Sequence, residues 1–96
     1  MLRRFLRLDP ETITFLNILH LLDIHSSMTF DELWDTGVFT SERYLEKDLG
    51  KLVEAGLVVQ KLDVYYITEK GVKFLGYYPN WRLEKRRKTQ VEPVIF

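Results

Sequence analysis

The stretch from residue 56 to residue 71 constrains the fold more than any other part of the sequence. Gly56 follows an amphipathic helical pattern and is predicted to end that helix, because glycine readily takes the left-handed conformation found just past a helix end. Two β-branched and aromatic runs come next, at 57–60 and 64–67, with only three residues between them. Runs of this kind at this spacing predict a tight antiparallel hairpin.

The first two helices of the chain have clear start signals. Asp9 followed by Pro10 is a strong start, since aspartate caps the first turn and proline fits the first helical position. This helix is predicted to run to about Asp23. Thr29 with Glu32 three residues later forms the capping-box pattern, which predicts a short second helix.

A third helix is predicted over residues 42–55, where leucines recur on one face. Either Thr40 or Ser41 fits its capping position, and the sequence leaves both open. Beyond the hairpin, Thr68 is expected to begin a fourth short helix that runs to about Leu75. The predicted order is helix, helix, helix, hairpin, helix, which defines an α+β domain.

Charge is balanced over the whole chain, with 14 basic and 14 acidic residues, but it is not balanced along it. Residues 1–8, a basic N-terminal arm, carry three arginines and no acid. The predicted domain, 9–76, carries six basic and twelve acidic residues. Residues 77–96, a basic C-terminal tail with a helical pattern at 81–88 and an extended end at 91–96, carry five basic and two acidic residues. Nucleic-acid binding would therefore depend on local geometry and on the two ends.

The third helix and the hairpin carry a family resemblance. Residues 40–49 (TSERYLEKDL) and 52–58 (LVEAGLV) resemble the recognition helix and first wing strand of MarR- and PadR-like winged helix-turn-helix regulators. Residues 65–71 (YYITEKG) are similar to the second wing strand and its turn into the next helix. The resemblance covers roughly residues 10–76 and extends to small archaeal and archaeal-viral winged-helix proteins. It implies three helices, a two-stranded wing and an additional C-terminal helix, which the basic tail then follows.

In such proteins the third helix enters the major groove of DNA, which implies a binding role for its outer face. Arg43, Lys47 and Lys51 fall within about 80° of one another on a helical wheel, opposite the leucines. The alternative is an ordinary solvated helix face. The predicted DNA-binding residues are Ser41, Arg43, Tyr44, Lys47, Lys51, Lys61, Arg82 and Arg86.

The predicted residues of the wing tip and the tail are expected to contribute little to sequence-specific DNA recognition. The wing tip offers only Lys61, with Asp63 close by, so its contacts are predicted to be weak. Arg82 and Arg86 belong to a basic run in the tail that would touch phosphates and add salt-sensitive affinity. An equally open alternative is a solvated charge run that aids solubility.

The first helix is apolar on two sides, which predicts a homodimer. One arc is the expected core face and consists of Phe15, Leu16, Ile18, Leu19 and Leu22. The second side would form a self-complementary interface in a two-fold dimer. Its residues are Ile13, Asn17, Leu21 and Ile24. The alternative is that they pack beneath residues 1–8 of the same chain.

Nothing in the sequence indicates catalysis. There is no cysteine, and His20 and His25 have no carboxylate pair at ligand spacing, so neither a metal nor another cofactor is expected. No apolar run is long enough to span a membrane, and the N-terminus lacks a signal-peptide pattern, so we expect a cytoplasmic protein.

The sequence therefore predicts a non-enzymatic homodimer that binds duplex DNA sequence-specifically and regulates transcription, with no small-molecule substrate. The alternative is a winged-helix module that mediates protein–protein interaction within a macromolecular complex, because winged helices serve both purposes.

Overall fold

The computed structural model describes residues 9–78, which form an α+β domain. Residues 1–8, the predicted helical stretch 81–88 and the predicted extended end 91–96 lie outside the described residues. The elements in chain order are α1 (Pro10–His25), β1 (Ser27–Thr29), α2 (Phe30–Asp35), α3 (Glu42–Glu54), β2 (Val58–Lys61), β3 (Val64–Ile67) and α4 (Glu69–Gly76).

The first two helices begin where the capping residues predict. The Asp9 carboxylate accepts a hydrogen bond of 3.0 Å from the Thr12 backbone N–H, and this bond lowers the pKa of Asp9. At α2 the Thr29 hydroxyl accepts from the Glu32 N–H at 3.1 Å, while the Glu32 carboxylate accepts from the Thr29 N–H at 2.9 Å. Both bonds of the capping box are present, so this prediction is confirmed.

Helix α3 is capped by Ser41, which resolves the choice that the sequence left open. Its side-chain oxygen accepts from the Tyr44 N–H at 3.2 Å. Helix α4 is capped in the same way by Thr68, which accepts from the Gly71 N–H at 3.0 Å. Each cap satisfies one of the backbone donors that a helix start leaves unpaired.

The sheet has three strands in the described residues, where the sequence predicted two. All pairs are antiparallel, in the order β1-β3-β2. The added strand is three residues long and mostly polar, so it lacks the alternating or β-branched pattern that marks a strand in a sequence. It forms because Ser26, at φ 73°, turns the chain after α1, and Met28 then pairs with Tyr65 along the free edge of β3.

Helix α1 is the centre of the core and packs against α3, α4 and β3. Its middle is buried almost all round, which corrects the expectation of an exposed second apolar side. Asn17 and Leu21 are each only 4% exposed, and Ile13 is half-buried. Ile24, near the end of the helix, is the member of that predicted set that stays on the surface, at 53% exposure.

The end of α3 is joined tightly to the start of α4. The Gly56 N–H bonds to the Val53 carbonyl and the Leu57 N–H to the Leu52 carbonyl, both at 3.0 Å, with Gly56 at φ 82°. This is the Schellman arrangement expected of a glycine past a helix end. The Thr68 hydroxyl then donates to the Gly56 carbonyl at 2.7 Å. Helix α3, the hairpin and α4 are thus fixed to one another at this junction.

Candidate nucleic-acid interface

The outward face of α3 is an exposed helical surface that carries basic side chains. Leucines at positions 45, 49 and 52 are each about 1% exposed, so they fix which side of the helix faces the core. Arg43, Tyr44 and Lys47 are exposed on the other side, and Tyr44 has 62% of its surface accessible. These side chains occupy the first two turns of the helix, which lie away from the α3–α4 junction.

Tyr44 and Lys47 form a local pair on this face. The Lys47 Nζ lies 5.8 Å from the centre of the Tyr44 ring, which is cation–π distance. Ser41 is half-buried and its hydroxyl caps the helix, so its role in the structure is to hold the first turn that carries both Arg43 and Tyr44. The structure brings these four predicted residues together.

Lys51 is placed differently from the other predicted contacts. It forms an ion pair with Glu11, in the first turn of α1, and the hydrogen bond to Glu11 raises the pKa of Lys51. Both side chains are nearly half exposed, so the pair adds little to stability. Its consequence is electrostatic, because a carboxylate stands beside a charge that was predicted to face DNA.

A buried carboxylate next to this ion pair was missed by sequence reasoning. Asp48 is only 7% exposed. Burial raises the pKa of Asp48, and the nearby Glu11 carboxylate raises it further, while Lys51 and Lys47 act in the opposite direction. Asp48 precedes Lys51 by three residues on the same helix. That spacing makes two helical side chains neighbours, so the sequence could have indicated that Asp48 lies close to Lys51. No sequence signal joined Glu11 to it, since 40 residues separate Glu11 from Lys51.

The hairpin tip carries one cation and one exposed leucine. Lys61 belongs to β2, and its Nζ lies 5.8 Å from the centre of the Tyr66 ring on β3. Leu62 follows in the turn, at φ 61°, and is 93% exposed. Its backbone carbonyl accepts a 3.0 Å hydrogen bond from the side-chain Nε2 of Gln60. A left-handed leucine is conformationally costly, and nothing in its sequence context indicated it.

Acidic side chains border the basic face on the side of the sheet. A groove of about 500 Å³ there is lined by Glu42, Arg43 and Glu46 of α3 together with Phe30 and Tyr65. Burial raises the pKa of Tyr65, and the Glu46 carboxylate raises it further. The free basic surface of α3 is therefore narrow, with Arg43 and Lys47 as its cations and two glutamates beside it.

Among the other predicted residues that the structure describes, Lys61 lies on the hairpin and four lie on α1. Arg82 and Arg86 are outside the described residues. Lys61 sits at the hairpin tip. The half-buried Ile13 and the exposed Ile24 stand at opposite ends of α1, about 16 Å apart by the rise of a helix, with buried residues between them. The predicted dimer residues thus do not form one continuous exposed patch.

Two further properties of residues 9–78 bear on function. They contain no group of three or more histidine, aspartate or glutamate side chains arranged to hold a metal ion. None of their helices is long and apolar enough to cross a membrane. The chain matches no protein-family model and no curated protein.

Proposed function

We propose that this chain is a winged-helix domain that binds duplex DNA through the first two turns of α3 and regulates transcription in the cytoplasm. The observation that carries the proposal is the joint exposure of Arg43, Tyr44 and Lys47 on one helix. The opposite face of that helix is buried in the core. A single α-helix fits the major groove of B-form DNA, so a helix presented in this way has the shape that groove reading requires.

Each residue of the face has a distinct role in this proposal. Arg43, one residue past the start of the helix, is the base-reading residue, because a guanidinium pairs with guanine through two parallel hydrogen bonds. Lys47 contacts phosphate, and Tyr44 supports its position through the cation–π pair. Lys51 is assigned a lesser role than the sequence predicted, since Glu11 already holds its ammonium group.

The acidic body makes the two basic ends part of the mechanism. Residues 9–76 hold twice as many acidic as basic groups, which disfavours approach to a polyanion. We assign phosphate contacts to the arm 1–8 and to Arg82 and Arg86 of the tail. These contacts are independent of sequence and steepen the salt dependence of binding.

Self-association is a second part of the proposal. A two-fold dimer would double the narrow basic face and place two α3 helices on half-sites about one DNA turn apart. Because Ile24 is exposed and Leu21 is not, we place the contact at the C-terminal end of α1. Sedimentation of the wild type and of Ile24→Glu tests this placement, which is wrong if the variant associates as the wild type does.

The second candidate function is a protein-interaction module. It is favoured by the acidic body and by the two glutamates that border the basic face, since both suit a basic protein surface better than DNA. Salt-dependent binding to duplex DNA separates the two candidates, because only the first predicts an interaction that releases counterions from the duplex.

Fluorescence anisotropy with mixed-sequence duplex DNA at two salt concentrations tests the DNA proposal. Replacing Arg43 and Lys47 together with alanine is expected to weaken binding and to lower the log–log salt slope by about one for each phosphate that the variant no longer touches. Lys73→Ala is the matched control, because Lys73 is an exposed lysine on α4. Equal reductions of affinity in the double variant and the control would reject α3 as the DNA-contacting element, and no salt-dependent binding by the wild type would favour the protein-interaction module.

A further inference from the structure

A second groove lies on the other side of the start of α3. One wall is the first two turns of α1, with Pro10 and Ile13, and the other is the α2–α3 connection and the start of α3, with Val38, Phe39 and Tyr44. Its volume is about 270 Å³, close to the lower end of the range of about 300–1,000 Å³ for small-molecule sites. Its lining is mainly aliphatic and aromatic.

One residue that lines this groove has a buried side-chain oxygen without a partner among the described residues. Asn17 lines the groove and is 96% buried within the domain. Its Oδ1 accepts no hydrogen bond in the part of the chain that the structure describes. A buried amide oxygen without a donor costs free energy, and native structures leave few such groups. A mainly apolar groove with one hydrogen-bond acceptor of this kind is complementary to an apolar molecule that carries one hydrogen-bond donor.

We propose that this groove binds a small neutral molecule, aromatic or branched aliphatic, whose single N–H or O–H donates a hydrogen bond to Asn17 Oδ1. The apolar body of the ligand packs against Ile13 and Phe39. A charged ligand does not fit, because no charged side chain lines the groove among the described residues.

The groove shares residues with the proposed DNA-binding face, so a bound ligand can affect that face. Tyr44 belongs both to the groove wall and to the exposed face, where it pairs with Lys47. Ser41, whose hydroxyl caps α3, lines the same groove. A ligand wedged between α1 and this turn therefore acts on the residues that we assign to DNA. This regulatory consequence rests on the proposed DNA binding, whereas ligand binding itself does not.

Indole and 1-methylindole are the probes, because they share one shape and only indole has the donor. Each is titrated into the full chain while the backbone amide resonances of Val38 and Tyr44 are followed by NMR. Indole is expected to bind about fivefold more tightly than 1-methylindole, which is the size of one neutral hydrogen bond. In Asn17→Leu, which keeps the number and branching of the side-chain heavy atoms and removes the acceptor, that preference is expected to disappear.

Three results would overturn the proposal. They are the absence of saturable shifts at the groove, equal binding of the two probes to the wild type, and a preference for indole that persists in Asn17→Leu. The leucine variant is expected to fold, since it replaces an unpaired buried polar group with an apolar one. Measuring duplex DNA affinity with and without indole then separates the two proposals. Indole binding without any DNA binding would leave the ligand site standing and reject the DNA function.

Discussion

The two ends of helix α3 are held in different ways. At the C-terminal end, Gly56 and Leu57 close the helix with two backbone bonds, and Thr68 bonds the Gly56 carbonyl from the start of α4. At the N-terminal end, the Ser41 hydroxyl forms the cap, and the adjoining groove is lined by Asn17, whose side-chain oxygen has no partner among the described residues. We call the C-terminal end the anchor, because the Gly56 and Ala55 carbonyls there accept side-chain hydrogen bonds from Thr68 at 2.7 Å and Lys70 at 2.9 Å. The N-terminal end instead carries the exposed side chains of Arg43, Tyr44 and Lys47.

The anchor is expected to be the most sensitive part of the domain. A Cβ at Gly71 would collide with the Leu57 carbonyl oxygen and lie 2.7 Å from Ile67 Cγ1, so Gly71→Ala must displace backbone. We expect it to lower the free energy of unfolding by about 2–3 kcal/mol, as overpacking does. Urea denaturation measures the change.

Gly50→Ala is the matched control for this prediction. Gly50 lies inside α3 with no atom within 4 Å of the added Cβ, so alanine is expected to raise the free energy of unfolding by about 0.5–1 kcal/mol. If both variants destabilise the domain equally, the close approach of Gly71 to Leu57 is not the cause of the loss of stability in Gly71→Ala.

The two helix caps allow a direct comparison of the ends. Thr68→Ala removes both the cap of α4 and the bond to the Gly56 carbonyl, whereas Ser41→Ala removes a cap alone. We expect the free energy of unfolding to fall by about 2 kcal/mol and about 1 kcal/mol, respectively. Thermal or urea unfolding of the two variants in parallel measures the difference. A larger decrease in the free energy of unfolding for Ser41→Ala than for Thr68→Ala would contradict the view that the C-terminal end of α3 is the more firmly held.

The smallest effect is expected in the middle of α3, at Asp48. Burial raises the pKa of this carboxyl above its ordinary value of 3.8, so the folded state binds a proton more readily than the unfolded state. Its contribution to stability is therefore full below the unfolded pKa and is lost as the pH rises through the folded one. Asp48→Asn is expected to be more stable than the wild type at pH 7, with the gain vanishing near pH 3. A gain that is the same at both pH values would show that ionisation of Asp48 is not its cause.

Most of the fold could be predicted because its signals are local. The capping box at Thr29 and the stop at Gly56 depend on residues within one helical turn, so each start or end could be read directly. Strand β1 could not be predicted, because it exists only where the chain meets the edge of β3. Periodicity likewise placed Asn17 and Leu21 on a second side of α1 but could not show that other elements cover that side.

The candidate interface was predictable only in part. The positions of Arg43 and Lys47 follow from helical geometry, once the leucines fix the buried side. The pairing of Lys51 with Glu11 depends on how α1 packs against α3, which no local pattern encodes. The groove at Asn17 has the same origin, since its two walls come from segments separated in the sequence.

NMR mapping of the chain with duplex DNA tests the central claim most directly. We predict that the largest amide shifts fall between residues 41 and 47, at the N-terminal end of α3. Residues 52–57, at its anchored end, are predicted to shift least among the residues of α3 and its junction. Largest shifts at the anchored end, or no shifts at low salt, would contradict the assignment of α3 as the DNA-reading helix.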